Sequence, residues 1–184
     1  GHHFPNLTLV VVLDVDNGFY TQDFRALERL GQLLIQVAGR AGREKIPGQV
    51  LIQTSLPNDP MLNTLIKEGY DSFVSLLLAG REKSSLPPYA HLAILRAGGK
   101  NQHKLLTFMH TIKDELQKFA IKVLGPAPAP IFKKNNQYRM QLLLKADIRS
   151  NLHSALQAIK GKLDPQNIPS GITFNIDVDP LEVA

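Results

Sequence analysis

Two arginines three residues apart, Arg40 and Arg43, end the segment Q-V-A-G-R-A-G-R, which begins at Gln36. Guanidinium groups bind phosphate oxygens and stabilise the charge that spreads over a γ-phosphate during phosphoryl transfer. The small residues beside them, among them Gly39, would let a nucleotide approach closely. The alternative is a plain basic helix end, where cations interact favourably with the helix dipole. The pattern therefore indicates either a phosphate-binding pair or a basic helix end.

The rest of a nucleotide site is not visible in the sequence. No phosphate-cradling loop of the form G-x-x-x-x-G-K-[ST] occurs in the chain. Arginines that stabilise phosphoryl transfer can, however, be supplied by a lobe other than the one that carries this loop. The complete eight-residue segment follows a strand ending in D-V-D (14–16) and an amphipathic helix. This context favours the functional interpretation over the basic helix end.

Composition limits the class of protein. The 184 residues are 43% hydrophobic and 20% charged, which argues against extended disorder. The longest apolar runs are too short to cross a bilayer, and no secretory signal precedes the first strand. With no cysteine, the chain has no disulfide or thiolate metal site. The net charge of +5 suits a polyanionic partner. We expect a soluble, cytoplasmic, mildly basic protein.

The elements that must position the arginines are a strand, a helix and a second strand. The valine-rich run Thr8–Leu13 is typical of a strand covered on both faces. Apolar residues at three- and four-residue steps predict a helix over Gln22–Ala38, and Gly48–Thr54 predicts the next strand. Together these form a parallel βαβ unit. A further helix is predicted from the Asp59 cap to about Ala79.

The remainder of the chain predicts a second domain. A polar stretch with a Pro-Pro break (80–90) is the clearest boundary in the sequence. After it, strands and helices follow in the order βαββαβ, which predicts an antiparallel four-stranded sheet with two helices on one face. The predicted elements are strand Leu92–Ala97, helix Gln102–Phe119, strand Ile121–Leu124, a polyproline-like arm Gly125–Pro130, strand Tyr138–Leu144, helix Arg149–Leu163 and strand Ile172–Val178.

Several segments, taken in order, resemble one family. Q-V-A-G-R-A-G-R is similar to motif VI of superfamily 2 helicases. The opening G-H-H-F-P-N-L-T-L-V-V-V-L-D-V-D resembles the end of motif V in the primosomal protein N′ family of replication-restart DNA helicases. R-E-K-S-S-L-P-P-Y (81–89), V-L-G-P-A-P-A-P (123–130), Y-R-M-Q-L-L-L (138–144) and D-V-D-P (177–180) resemble the same family's C-terminal region.

The resemblance implies an α/β plus α+β organisation. Residues 1–80 would be the C-terminal part of a RecA-like helicase lobe, 81–89 a linker, and 90–184 an S10-like βαββαβ domain that binds DNA or partners. The parent protein would be an ATP-dependent 3′ to 5′ helicase that recognises stalled or abandoned forks and initiates primosome assembly. The 184-residue chain alone, lacking the P-loop lobe, would be inactive.

The resemblance also implies cofactors that this chain does not hold by itself. ATP and Mg²⁺ would bind the parent protein, and Zn²⁺ would bind through cysteines outside this chain. No metal site is predicted here. Asp14 and Asp16 after the first strand are as well suited to capping and turn formation as to catalysis, and two carboxylates alone do not enclose a metal.

The family assigns roles to the residues of motifs V and VI. Arg40 and Arg43 would contact the ATP phosphates from across the cleft between lobes, with Arg43 as the finger. Gln36 and Gly39 would belong to the same nucleotide-binding surface. His2 and His3 match motif V and would contact DNA. Without the family context, the two histidines would equally fit a remnant of an affinity tag or solvated loop residues.

Basic and aromatic residues surround one predicted turn in the second domain. Lys133, Lys134, Tyr138 and Arg139 have the composition of a surface that binds phosphates and stacks on unpaired bases. The alternative is a solvated hairpin tip, since lysines are common there. Family resemblance favours binding of branched and single-stranded DNA.

The start of the last helix is the predicted partner site. Arg149 aligns with a basic position that in the family helps receive the acidic C-terminal tail of single-stranded-DNA-binding protein. His153 stands one turn later, where a polar amide is expected, so the pocket would differ there. An ordinary surface arginine is the alternative. Other primosome proteins are further implied partners, in the bacterial cytoplasm and without membrane attachment.

A second class of function remains open at this point. The helicase-like segment could be a decayed scaffold, and the βαββαβ domain could be a non-catalytic module that binds nucleic acid or protein. Retention of both arginines together with the flanking Gly39 and Gly42 favours the helicase, because a decayed lobe has no chemical need for them.

Overall fold

The computed structural model describes residues 7–21, 23–43, 46–164 and 166–183, leaving aside the side chains of 42–43 and 46–47. The chain divides into two units, residues 1–81 and 82–184. The elements, numbered in chain order, are β1 (Leu9–Val12), α1 (Ala26–Ala38), β2 (Gly42–Arg43), β3 (Ile46–Pro47), β4 (Gln49–Ile52), α2 (Pro60–Lys67), α3 (Tyr70–Lys83), β5 (His91–Gly99), α4 (Gln102–Leu116), β6 (Lys122–Lys134), β7 (Gln137–Ala146), α5 (Arg149–Lys160) and β8 (Ile172–Val178).

In the first unit, two strands form the small parallel sheet that the sequence predicts. Strands β1 and β4 pair in parallel, from Leu9 opposite Gln49 to Val12 opposite Ile52. Helix α1 connects them, followed by the short antiparallel pair β2–β3, which the sequence did not predict. Side chains of β1, α1 and β4 pack with those of the two helices that follow around a core that includes Leu34 and Phe73. A side chain at Gly31 would clash with the Phe73 ring, so this helix crossing requires glycine.

The single helix predicted after Asp59 is two helices in the structure. Asp59 caps α2 as expected, since its carboxylate accepts hydrogen bonds from the amides of Met61 and Leu62. Gly69 then adopts φ +94° and donates its amide to the Thr64 carbonyl, which is the usual glycine end of a helix. The three- and four-residue spacing of apolar side chains continues from α2 into α3, so the sequence pattern alone did not reveal this break.

Helix α3 also continues beyond Ala79, where the sequence predicted its end, to Lys83. Arg81 stabilises this last turn within the first unit. Its guanidinium donates to a Glu28 carboxylate oxygen over 2.6 Å and to the Phe24 carbonyl over 3.3 Å. The same group lies 5.0 Å from the centroid of the Phe24 ring. These contacts join the end of α3 to the start of α1.

The second unit contains the predicted four-stranded antiparallel sheet, and this prediction is confirmed. The strand order is β6-β7-β5-β8, and every neighbouring pair is antiparallel. Helices α4 and α5 pack against each other and on the sheet. Alternate residues of the central strands, such as Leu95 and Leu142, meet Met109 of α4 and Ile159 of α5, and all four side chains are fully buried.

The proline-rich arm is part of a strand rather than a separate polyproline segment. Strand β6 spans thirteen residues and includes Gly125–Pro130. It is an edge strand, so prolines, which cannot donate a backbone hydrogen bond, cost it little. Its register against β7 shifts between Leu124 and Ala127 and again between Pro128 and Lys133. The sequence predicted only the start of this strand, Ile121–Leu124, because the irregularities interrupt its alternation beyond Leu124.

An ion-pair cluster on α4 makes the second unit sensitive to acid. Glu115 accepts hydrogen bonds from Lys118 over 2.8 Å and from Lys162, which follows α5, over 2.6 Å. The two ammonium groups, Lys118 first, lower the pKa of Glu115 from 4.5 to about 2. The folded state therefore prefers the charged carboxylate more strongly than the unfolded state does.

We expect Glu115→Gln to lower the urea midpoint at neutral pH, and this difference from the unmodified chain to shrink as pH falls. The stabilisation is complete above the unfolded pKa of 4.5 and is lost as the pH approaches the folded value of about 2. The two lysine side chains are exposed and Glu115 is partly exposed, so the effect should also weaken with salt. A destabilisation by Glu115→Gln that is equally large at neutral pH and at about pH 3 would contradict this assignment.

Candidate phosphate and nucleic-acid sites

The motif VI segment forms a helix end, a turn and a short strand. Gln36 lies exposed in the last turn of α1. Gly39 caps the helix by donating its amide to the Ile35 carbonyl over 3.0 Å, and the Arg40 amide donates to the Val37 carbonyl. The Arg40 side chain is exposed, so it is available to a phosphate group from outside. The structure thus places Gln36 and Arg40 about one turn apart at the same end of α1.

Arg43 lies on β2, where its backbone is paired with Ile46 of β3. Its side chain is outside the described part of the chain, and so are the predicted DNA contacts His2 and His3. The pairing of β2 with β3 holds the backbone of Arg43 in place, three residues after Arg40. The roles assigned to Arg43, His2 and His3 stay predictions.

Asp16 connects the carboxyl ends of the two parallel strands. Its carboxylate accepts hydrogen bonds from the Ser55 hydroxyl, from the Thr54 hydroxyl and, over 2.8 Å, from the Ser55 amide. These bonds, that of the Ser55 hydroxyl first, lower the pKa of Asp16 below 3.8. Nearby, Asp14 adopts φ +55° and accepts a hydrogen bond from the Asn17 amide group. Asp14 bonds within its own turn, and Asp16 joins that turn to the residues after β4, so both carboxylates have a structural role.

The predicted turn between Lys134 and Gln137 is a two-residue hairpin. Asn135 and Asn136 both adopt positive φ, 51° and 59°, which this tight turn requires and which asparagine tolerates. Lys133 lies opposite Tyr138, and its ammonium is 4.8 Å from the ring centroid. The Phe132 ring lies 5.4 Å from that of Tyr138. The hairpin therefore carries a compact pair of aromatic rings with one cation.

The four predicted DNA contacts of this hairpin lie on both faces of the sheet. Side chains alternate along β7, and Tyr138 packs with Met140 toward the helices. Lys133, opposite Tyr138, shares that side. Arg139 and Lys134 therefore project from the other side, which we call the distal face. The structure brings the residues together in pairs, Lys133 with Tyr138 and Lys134 with Arg139, and not as one surface.

Two further basic residues on the distal face were missed in the sequence. Lys145 lies an even number of residues after Arg139 on β7, so both side chains are on the same face. Lys122 of β6 lies directly opposite Lys145. The Lys145 ammonium donates to the Ser84 carbonyl over 2.9 Å. Strand alternation alone could have placed Lys145 on the face of Arg139. Lys122 could not be placed, because its partner across the sheet depends on the register.

A pocket of about 570 Å³ lies on the distal face beside Arg139. Arg96 lines it and is held by Asp177 at 3.3 Å and by the Glu182 carbonyl at 3.1 Å. Asp179 also lines the pocket. The carboxylates stand on the side of β8 and the chain end, whereas Arg139 stands on the side of β7. The pocket therefore marks a change in the sign of charge across the face.

The predicted partner site lies at the start of α5. Arg149 is the first residue of this helix and His153 follows one turn later, so both project from one side, and both are exposed. The preceding residue, Ile148, offers no side-chain acceptor for the helix amides. Helices α2 and α4, by contrast, are capped by Asp59 and Asn101. The structure thus brings the two predicted residues together at a helix start that lacks a side-chain cap.

The described residues form neither a cluster suited to a metal ion nor a membrane-spanning helix. No three histidine, aspartate or glutamate side chains in these ranges come close enough together to hold a metal ion. Within the same ranges, no helix is long and apolar enough to cross a membrane.

Comparison with known proteins gives one consistent family. The family model described as "Primosomal protein N C-terminal domain" matches residues 82–181. "Replication restart protein PriA" of Haemophilus influenzae is 41% identical over 187 aligned positions, covering 100% of this chain and 25% of the relative. Proteins of the same name from Synechocystis and Bacillus subtilis are 37% and 33% identical, over 100% and 98% of this chain and 22% and 23% of the relatives.

This chain spans about a quarter of the length of the curated relatives it matches. Among solved structures, the designed protein Foldit4 aligns with half of the chain at 10% identity and a TM-score of 0.40, a likeness too weak to indicate function. The family model covers more than half of the chain, and the relatives cover nearly all of it. The chain therefore belongs to the primosomal protein N family and matches the C-terminal portion of replication restart protein PriA.

Proposed function

We propose that this chain is the C-terminal portion of an ATP-dependent 3′ to 5′ DNA helicase that recognises stalled or abandoned replication forks and initiates primosome assembly. One observation carries the proposal: a replication restart protein is 41% identical over the whole chain, so the similarity includes the motif VI arginine segment as well as the C-terminal domain. In this interpretation the first unit is the end of a RecA-like lobe, and the second unit is an S10-like domain.

Arg40 and Arg43 supply one half of a composite ATP site, and the other half belongs to the lobe with the P-loop. The exposed side chain of Arg40, directly after α1, supports this role. Gln36 and Gly39 lie on the same helix end and complete this side of the site. Mg²⁺ would bind with ATP in the full-length protein, and Zn²⁺ would bind there through cysteines, which this chain lacks.

The purified 184-residue chain should neither bind ATP tightly nor hydrolyse it. Without the backbone amides and lysine of a P-loop, the γ-phosphate has no cradle, and guanidinium groups alone do not align an attacking water. Phosphate release from ATP should equal that of a buffer blank, with and without single-stranded DNA. Sustained DNA-stimulated turnover by the isolated chain would overturn the composite-site assignment.

The second unit binds DNA and partner proteins. The hairpin with Lys133, Lys134, Tyr138 and Arg139 provides cations and an aromatic ring for branched or single-stranded DNA. The start of α5, with Arg149 and His153, receives the acidic tail of single-stranded-DNA-binding protein, because its helix amides lack a side-chain cap and a carboxylate is favoured there. Other primosome proteins would be further partners in the bacterial cytoplasm.

A non-catalytic module that binds nucleic acid or protein is the second candidate. The second unit favours it, since its four strands and two helices enclose a core of their own. The gene sequence upstream of Gly1 separates the two candidates. A P-loop followed by a D-E-x-H box there supports the helicase, and their absence supports the module.

A further inference from the structure

We propose that single-stranded nucleic acid runs along the β6–β7 half of the distal face, where its phosphates contact Lys122, Lys145, Arg139 and Lys134. This inference rests on the DNA-binding function proposed above and deepens it by assigning a face, a path and a preference for unpaired strands. Of the four hairpin residues considered for DNA, it selects the two that lie on the same face as Lys122 and Lys145.

The four cations form a row along two neighbouring strands. Lys122 lies opposite Lys145, and Lys134 lies opposite Gln137, two positions before Arg139 on the same face. From the position of Gln137 to Lys145 the strand rises about 27 Å at roughly 3.4 Å per residue. A row of this length follows a nucleic-acid backbone rather than enclosing a single small anion.

The pairing of Lys122 with Lys145 is unfavourable unless an anion is present, because the Ser84 carbonyl that the Lys145 ammonium contacts has no net charge to balance it. Directly opposed residues of an antiparallel pair have Cβ atoms about 5 Å apart, and like charges there destabilise the sheet. Among the described residues, none of the four cations forms an ion pair with a carboxylate, whereas Arg96 on the same face is paired with Asp177. A bound phosphate group between the two lysines would relieve their repulsion.

The other half of the distal face, formed by β5 and β8, excludes a nucleic-acid strand because it carries carboxylates and is covered by the end of the chain. Asp177, Asp179 and Glu182 stand at β8 and the chain end beside the pocket. The Glu182 carbonyl accepts a hydrogen bond from Arg96 of β5 over 3.1 Å, and Pro180 is fully buried. Residues 180–182 therefore lie over the face next to β5, and the carboxylates around them repel phosphates. The remaining free path is the β6–β7 half.

Exposed apolar side chains between the cations favour single-stranded nucleic acid over a duplex. Leu124, opposite Leu143, lies on the distal face and is 43% exposed. Ile131 lines the same pocket as Arg139 and is 54% exposed. Unpaired bases can cover such surface, whereas the outside of a duplex presents phosphates and sugars. Cations interleaved with apolar side chains on one strand pair suit single-stranded nucleic acid.

The test measures binding of a fluorescent oligothymidylate of about ten nucleotides to the 184-residue chain between about 50 and 200 mM salt. Four phosphate contacts predict a slope of log K against log salt near −3, at about −0.7 per contact. Lys122→Gln, Lys134→Gln and Arg139→Gln should each reduce the slope by about 0.7. Lys160→Gln, an equal charge change at the exposed end of α5 on the helix side, is the matched control and should leave it unchanged.

Two further measurements are needed. The thermal midpoint separates an effect on binding from an effect on folding, and a comparison of Lys133 with Lys134 separates the helix side of the sheet from the distal face. Lys122→Gln should weaken binding while the thermal midpoint stays equal or rises, because the mutation removes a like-charge pair. Lys133→Gln, on the helix side of the same hairpin, should reduce the slope less than Lys134→Gln. Equal losses at Lys133 and Lys134, with no loss at Lys122, would overturn the distal path and leave DNA binding by the hairpin intact.

The remaining outcomes are also decisive. Tighter binding of a duplex of the same length, sensitive to the same variants, would overturn the preference for single strands. Absence of binding by the unmodified chain at the lowest salt would count against the DNA-binding function itself, and with it this inference.

Discussion

Replacement of Arg43 by alanine in the full-length replication restart protein should lower ATP turnover by about 10³- to 10⁵-fold, the range that arginine fingers contribute. In the transition state, charge spreads over the equatorial oxygens of the transferred phosphoryl group, and a guanidinium from the opposite lobe would stabilise that charge. Arg43 follows α1 by way of the β2 strand, whose pairing with β3 holds its backbone in place. Steady-state phosphate release at saturating single-stranded DNA measures the effect.

Binding of a forked DNA by the Arg43→Ala protein should remain close to normal, which serves as the control for folding. Arg43→Lys should also be strongly impaired, since an ammonium keeps the charge but lacks the planar pair of donors. Gly39→Ala tests the neighbouring position of the same site. A Cβ there would lie 3.5 Å from the Ile35 carbonyl oxygen, an ordinary contact that the fold accepts, so a loss of turnover in this variant would come from the site and not from misfolding. Unchanged turnover in Arg43→Ala would rule this residue out as the finger.

Leu142→Ala should cost the second unit about 2–5 kcal/mol of unfolding free energy, as buried leucine truncations do. Leu142 is fully buried on β7, which has a hydrogen-bonded strand on each side, and it faces the helices. The sheet cannot collapse into the space without losing its register to β5 and β6. A loss of this size is a large part of the stability of a typical domain. Urea unfolding followed by circular dichroism measures it.

Leu124→Ala is the matched control for this prediction. It removes the same atoms from the edge strand β6, but on the distal face, where the side chain is 43% exposed. We expect a change within about 0.5 kcal/mol. Comparable losses for Leu124 and Leu142 would mean that the core does not lie between the sheet and the helices as described.

Local patterns were sufficient for the order of the elements in the second unit. Apolar residues at helical spacing located α4 and α5, and alternation located β7 and β8, so the βαββαβ order followed from the sequence. Patterns failed where one residue interrupts them. Gly69 divides a helix whose periodicity continues beyond it. The shifted register of β6 hides the continuation of the predicted strand Ile121–Leu124 through the proline-rich arm.

The candidate sites show the same division. The types and spacing of Arg40 and Arg43 are properties of a short segment, so the sequence located them directly. Arg149 and His153 were identified through the family resemblance. The sequence also placed Lys133, Lys134, Tyr138 and Arg139 at one turn, but it did not separate them into two faces. That separation depends on which β7 residues pack under the helices.

By itself, the sequence determined which residues can do chemistry and which elements carry them, because periodicity and turn residues are local. Only the tertiary structure decided which of these residues meet. Lys122 faces Lys145 across 23 positions of chain because the β6–β7 register puts them opposite each other. Asp16 meets Ser55 because two parallel strands end side by side. Strand register and packing between distant segments create such neighbours, and no local pattern contains them.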